Sequence, residues 1–152
     1  MPDPSLQNVN KITWSEFDRI GVRDLYAILA MRSEIFVVEQ DCVFQDVDGR
    51  DLLDGNNHAW IHDDQQIVAY LRVFPHDDGT LKISRVVTAL SHRHQGLAAA
   101  LMRSAIARFP DRPLALDAQS HLVDWYEQFG FVADGEPFLE DEILHVPMRL
   151  TP

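Results

Sequence analysis

Two short stretches hold the residue types from which chemistry can be built. Arg93-His94-Gln95-Gly96-Leu97-Ala98 joins an apolar β-like run, Leu81–Thr88, to a helix-like run that continues from Leu97 to Phe109. A glycine hinge between a strand and a helix start leaves several backbone N–H groups unpaired and pointing one way. With the positive end of the helix dipole behind them, they make an anion site. A Cβ at Gly96 would block close approach of a phosphate to the main chain. The second stretch is Asp124-Trp125-Tyr126-Glu127-Gln128-Phe129-Gly130-Phe131. Tyr126 offers a phenol whose ordinary pKa of about 10 keeps its proton at neutral pH, ready for a departing anion. Each stretch alone has a plain structural reading: a basic turn before a helix, and an aromatic packed with its hydroxyl satisfied.

Other groupings have weaker claims. Asp46-Val47-Asp48-Gly49-Arg50-Asp51 has the flavour of a calcium loop, but its glycine is at the wrong offset and the closing glutamate is missing. An Asx-type turn is the better reading. His92 and His94 lack a cysteine or further histidine at zinc spacing, and nothing completes a site around His58 and His62, so no metal is expected. Cys42, the single cysteine, lacks a local basic cluster. It excludes an internal disulfide and fits a reducing compartment, so a cytoplasmic location is expected. Arg32 and Phe36 lie four apart on one helix face. Either Phe36 is core and Arg32 forms a structural ion pair with Glu39 or Asp46, or Arg32 lines a pocket and recognises a carboxylate or phosphate.

Composition narrows the class. The chain has 152 residues and is 46% hydrophobic, enough for one domain with its own core. Residues 11–152 are expected to form it, after a polar, proline-containing segment, 1–10, expected to fray. No apolar run approaches the roughly 20 residues of a membrane span, and Met1-Pro2-Asp3-Pro4-Ser5 lacks the features of a signal peptide. A formal charge of −11 argues against a nucleic-acid partner. It favours solubility and would attract a cationic amine. Any phosphate must then be held by local N–H groups and a few basic side chains.

Periodicity and stop signals give the elements that position these residues. A short strand is expected at Lys11–Trp14. Leu25, Ile28, Leu29, Ile35 and Phe36 after Asp24 predict a helix over 24–37. Residues 39–57, rich in Asp, Gly, Gln and Asn, read as a loop with a short helical turn, long enough to suggest function. Strands at His58–His62, Gln66–Phe74 and Leu81–Thr88, joined by short turns, form an antiparallel meander. A helix at Gln95–Phe109 stops before Pro110-Asp111-Arg112-Pro113. Leu114–Ala118 reads as a buried strand and Val123–Phe129 as a helix ended by Gly130. Phe131–Ala133 and His145–Leu150 form a closing strand pair. This order specifies a mixed α/β layer fold.

The element order, the Arg-x-x-Gly-x-Ala hinge and the Tyr-x-x-x-Gly-Phe ending together resemble the GNAT N-acetyltransferase superfamily, from about Lys11 to Leu150. Leu29-Ala30-Met31-Arg32-Ser33-Glu34-Ile35-Phe36-Val37-Val38-Glu39-Gln40, with Gln45-Asp46-Val47-Asp48-Gly49 after it, is similar to the small, bacterial ElaA-type subgroup. The resemblance implies a mixed, mostly antiparallel sheet of six to seven strands, with helices on both faces and a splayed central strand pair. It implies acetyl-CoA as donor, no metal, a small-molecule or peptide amine as acceptor, and a homodimer as a frequent assembly. By the same resemblance, main chain at Val86, Val87 and Thr88 pairs with the pantetheine arm. One of the two valines must still be core, because strand side chains alternate. His94, Gln95, Gly96, Leu97, Ala98 and Ala99 would supply N–H groups to the pyrophosphate, and Arg93 and Arg103 charge. Ala98 stands where many members have glycine. Gln119 stands where relatives often place a cofactor-contacting Asn, and Tyr126 carries over as the acid that protonates the CoA thiolate.

A protonated amine cannot attack a thioester, so something must accept its proton. His121, Glu39 and Asp117 are the candidates, with Glu34 and His145 more distant; many relatives use a water chain. Asp117 could face the cleft or the core. The acceptor is expected between residues 32–57, including Arg32 and Phe36, and the Gln119–His121 segment. Two other readings share the fold: a non-catalytic acyl-CoA-binding module, and an enzyme similar to acyl-homoserine-lactone synthases.

Overall fold

The computed structural model describes residues 12–76 and 78–152; the segment expected to fray, 1–10, lies outside them, as does Lys11. Strand β1 (Ile12–Ser15) leads to helix α1 (Val22–Arg32), which continues as a π-helical stretch, Ser33–Glu39. The helix expected over 24–37 is thus present and longer at both ends. Its wider turn shows in the bond from Gln40 N to Ile35 O (3.2 Å). A loop with one 3-10 turn, Arg50–Leu52, follows. Next come β2 (Asn57–Asp63), β3 (Gln66–Pro75) and β4 (Leu81–Thr88), then α2 (Leu97–Arg108) and β5 (Leu114–Gln119). The chain ends with α3 (Val123–Glu127), β6 (Val132–Ala133), β7 (Phe138–Glu140) and β8 (Ile143–Leu150).

The described residues form one eight-stranded sheet in the order β1-β2-β3-β4-β5-β8-β6, with β7 also on β8. The strand beyond the six to seven expected is β7. Its residues are largely exposed and carry no apolar alternation, so the pattern that announces a half-buried strand is missing there. β1 to β4 pair antiparallel, as the meander requires. Apart from Gln66 and Arg72, β3 is apolar throughout because helices cover both faces. Val68, Leu71 and Val73 join Leu97, Leu101, Met102 and Ala105 of α2. Ile67 and Tyr70 join Ile28, Met31 and Ile35 on the α1 side. Full burial of each such side chain contributes about 1.5–3 kcal/mol.

Two irregularities in β4 open the centre of the sheet. The β3–β4 register shifts between Tyr70 and Arg72, and Arg85, opposite that break, has φ of +56°. This is a bulge, which bends a strand and re-aims a side chain. On its other edge β4 pairs with β5, in parallel, only through Leu81 with Leu114 and Lys82 with Ala115. Beyond Lys82 the two central strands part. No helix of the described residues is long and apolar enough to cross a membrane.

Candidate active site

Where β4 and β5 part, a cleft of about 890 Å³ opens. Val86, Val87 and Thr88 border it, along the edge of β4 that has no strand partner. Val87 is buried in the α1-side core and Val86 is half-buried against the other, so the two valines alternate. Unpaired backbone groups on such an edge can pair with an extended ligand.

From Thr88 the chain passes through a 3-10 turn, Leu90–His92, to the hinge. His94 (φ +65°) and Gly96 (φ +76°) are both left-handed. Gly96 caps α2 without side-chain help, and the first helical bond runs from Ala100 N to Gly96 O (3.0 Å). The amides of Leu97, Ala98 and Ala99 therefore lack intrahelical acceptors. A Cβ at Gly96 would touch nothing in the protein, so its backbone conformation, not internal crowding, demands glycine. Arg93, His94, Gly96, Leu97, Ala98 and Ala99 border the cleft. Gln95 is exposed and does not border it, and Arg103 lies over the Phe129 ring (5.6 Å) instead.

Tyr126 stands in the cleft wall, 8% exposed, edge-on to Trp125 (4.9 Å) and Phe131 (6.4 Å). Burial alone pushes its pKa up to about 12. Its ring belongs to the core cluster on the α2 side, and its hydroxyl has no hydrogen-bond partner among the described residues.

The ionisable candidates fare differently. Glu39 receives two 2.6 Å bonds from the guanidinium of Arg93, and that hydrogen-bonded pairing lowers its pKa. Arg93 also reaches Thr88 O (3.4 Å). Asp117 faces the cleft, paired with Lys82 at 2.5 Å across the splay. His121 is exposed at the rim with no ion pair among the described residues. His145 borders the cleft, stacked on Phe138 (5.7 Å); Glu34 does not border it. Gln119 Nε2 donates to Gln40 Oε1 (3.3 Å), a second link across the opening beside Glu39–Arg93.

Arg32 requires a correction. It is 1% exposed and does not reach the cleft. Its nitrogens bond Asp46 (Nε, 2.9 Å) and Asp51 (Nη1, 2.7 Å). Burial opposes its charge, but the Asp51 bond prevails and raises its pKa. Asp46 is the partner and Glu39 is not, because the π turn carries Glu39 round to Arg93. Phe36 does border the cleft, with Arg85 over its ring (5.9 Å).

A family model described as "Acetyltransferase (GNAT) domain" matches residues 34–152. The chain belongs to the GNAT acetyltransferase family. It is an acyltransferase, with a GNAT fold. The UPF0039 protein Rv2851c of Mycobacterium tuberculosis is 41% identical over 133 residues, 85% of each chain. The ElaA protein of Escherichia coli is 36% identical over 145 residues, 90% of this chain and 95% of that one. Its crystal structure superposes with a TM-score of 0.82, covering 91% and 98%. An acyl-CoA N-acyltransferase structure from Pseudomonas aeruginosa gives 0.87 at 40% identity, covering 91% and 97%.

In this GNAT domain, the unpaired β4 edge, the free amides at the α2 start and the connecting cleft suit an extended donor ending in phosphates. The sequence reading missed Arg72 and Arg85, which with Asp48 border the cleft beside the acidic loop. The Asx turn is there, Arg50 N bonding Asp48 Oδ1 (3.1 Å), but the same loop holds buried arginines. Arginines at alternating or bulged strand positions were the available signal, since charge inside an apolar strand needs a partner.

Proposed function

We propose that this domain transfers an acetyl group from acetyl-CoA directly to a primary amine of a small molecule or peptide. When bound, acetyl-CoA supplies a thioester whose acyl carbon the amine attacks, with a thiolate as leaving group. The β4 edge at Val86–Thr88 would hold the pantetheine arm, and the amides of His94 and Gly96 to Ala99 the pyrophosphate, with Gln119 nearby. Arg93 adds charge there by exchanging Glu39 for phosphate oxygens.

Tyr126 carries the reading. A phenol kept protonated by burial, unpartnered and bordering the same cleft as the hinge, can give its proton to sulfur as the C–S bond breaks. The amine must shed a proton before attack and another as the amide forms. His121, at the rim, accepts one through water; Glu39 and Asp117 are engaged with Arg93 and Lys82. One proton returns to Tyr126 and the other leaves to solvent.

Thiol release from acetyl-CoA across an amine panel tests the proposal. Amine-dependent thiol release with the matching N-acetyl product is expected. Tight acetyl-CoA binding without turnover across amines, peptides and aminoglycosides would instead favour a binding module.

A further inference from the structure

The cleft floor contains an ion network that does not close on itself. Asp46 binds Arg32 Nε (2.9 Å) and Arg85 Nε (2.7 Å). Asp51 binds Arg32 Nη1 (2.7 Å) and Arg72 Nη1 (3.0 Å). Asp48 Oδ2 is shared by Arg72 (2.7 Å), Arg85 (3.3 Å) and Arg50 (3.3 Å). Three guanidiniums, those of Arg32, Arg72 and Arg85, thus face three carboxylates, and the exposed Arg50 reaches Asp48 from the solvent side. The other basic side chains bordering the cleft, Lys82 and Arg93, have Asp117 and Glu39 of their own.

One donor of this network is left over. Every nitrogen of the Arg32 and Arg72 guanidiniums donates a hydrogen bond. Arg85 uses Nε and Nη2, on Asp46 and Asp48, and its Nη1 has no partner among the described residues. Arg85 borders the cleft, its guanidinium 5.9 Å from the Phe36 ring centre and 5.3 Å from that of Phe44. Burial, and then the neighbouring Arg72, lower its pKa, whereas those of Arg32 and Arg72 are raised by their carboxylates. The β4 bulge, with Arg85 at a positive φ that non-glycine residues seldom adopt, aims the side chain there.

We infer that Arg85 Nη1, flanked by Phe36 and Phe44, recognises a carboxylate on the acceptor. The acceptor is then an amine with an apolar body and one carboxylate. This rests on the proposed acyl transfer for the amine end alone. The role of acceptor recognition considered for Arg32 thus falls to Arg85.

Calorimetric titration of 3-phenylpropionate and 3-phenylpropionamide tests the anion site without turnover. The acid is expected to bind at least roughly tenfold more tightly than the amide, the scale of one charged hydrogen bond. Arg85→Gln should erase that ratio in a protein whose melting confirms its fold. Phe44→Ala should weaken both ligands and keep the ratio. Equal binding of acid and amide, no measurable binding of the acid, or a ratio that survives Arg85→Gln overturns the inference. Tighter binding of phenylphosphonate overturns the carboxylate assignment. Separately, amino carboxylates should outperform their carboxamides in thiol release. Failure of all amines there, with acid–amide discrimination intact, sinks the acetyl transfer and leaves the carboxylate site standing.

Discussion

The carboxylate of Glu39 and the guanidinium of Arg93 meet through two 2.6 Å hydrogen bonds, joining the π-helical turn to the loop before α2. Both side chains are about a third exposed, so the pair contributes about 1 kcal/mol or less to stability. Its position matters more. A side chain that neutralises Arg93 competes with any anion at the hinge.

Glu39→Gln separates the two roles open to this residue. As a competitor for Arg93, its loss should lower the KM for acetyl-CoA a few-fold and leave kcat nearly unchanged. As the base, its loss should cut kcat by about 100-fold or more. Steady-state kinetics with both substrates varied distinguishes them, and the first result is expected.

Tyr126→Phe should lower kcat by roughly 100-fold while leaving folding stability essentially unchanged. The second half follows from the unpartnered hydroxyl: removing it breaks no hydrogen bond. Because burial holds the phenol protonated until about pH 12, kcat should show no falling alkaline limb from this group at pH 8–10. Thiol release across pH and a thermal melt of the variant check both statements. Unchanged turnover would remove Tyr126 from the chemistry.

The path from β4 through the hinge to α2 was legible because each step has a local cause. Residues 81–84 alternate, Gly96 takes a positive φ, and Pro110 stops the helix. The cleft floor was not legible. Apart from Arg50 with Asp48, its ion pairs join residues 14 to 39 positions apart, such as Arg32 with Asp46 and Arg85 with Asp46, and no short-range period encodes such pairs. The π turn was hidden for a related reason. Residues 33–39 look like ordinary helix, and only the tertiary link from Glu39 to Arg93 reveals where the wider turn points.

Asp51→Asn should destabilise the protein by about 3 kcal/mol at pH 7, the scale of breaking a buried ion pair from one side. Burial alone would raise the Asp51 pKa, but the bonds from Arg32 lower it. Its contribution is therefore complete above the ordinary aspartate value near 4 and fades as pH falls through the lower, folded value. Denaturant titrations should show the gap between wild type and variant narrowing only below about pH 4. A gap that is the same at all pH values would mean the carboxylate charge is not what stabilises.

His58 predicts a second acid effect in a separate window. Its ring is 2% exposed, with Nδ1 2.6 Å from Tyr70 Oη and Nε2 buried without a partner. An imidazolium needs two acceptors, and among the described residues only the Tyr70 hydroxyl meets hydrogen-bond geometry, with the Asp51 backbone a weaker pull on the ring. Burial, assisted by Arg32 and Arg72 against the opposing pull of Asp51, lowers its pKa from 6.5 to about 4. The unfolded chain therefore takes up the proton first as pH falls. Stability from this group is complete above pH 6.5, declines toward pH 4 and is then level, a loss of about 3 kcal/mol. His58→Asn, which can keep a bond to Tyr70, should start less stable at pH 7 and stay flat between pH 6.5 and 4. An NMR titration of the His58 ring should place its midpoint near 4. A midpoint near 6.5 would show that the ring finds a second acceptor in solution.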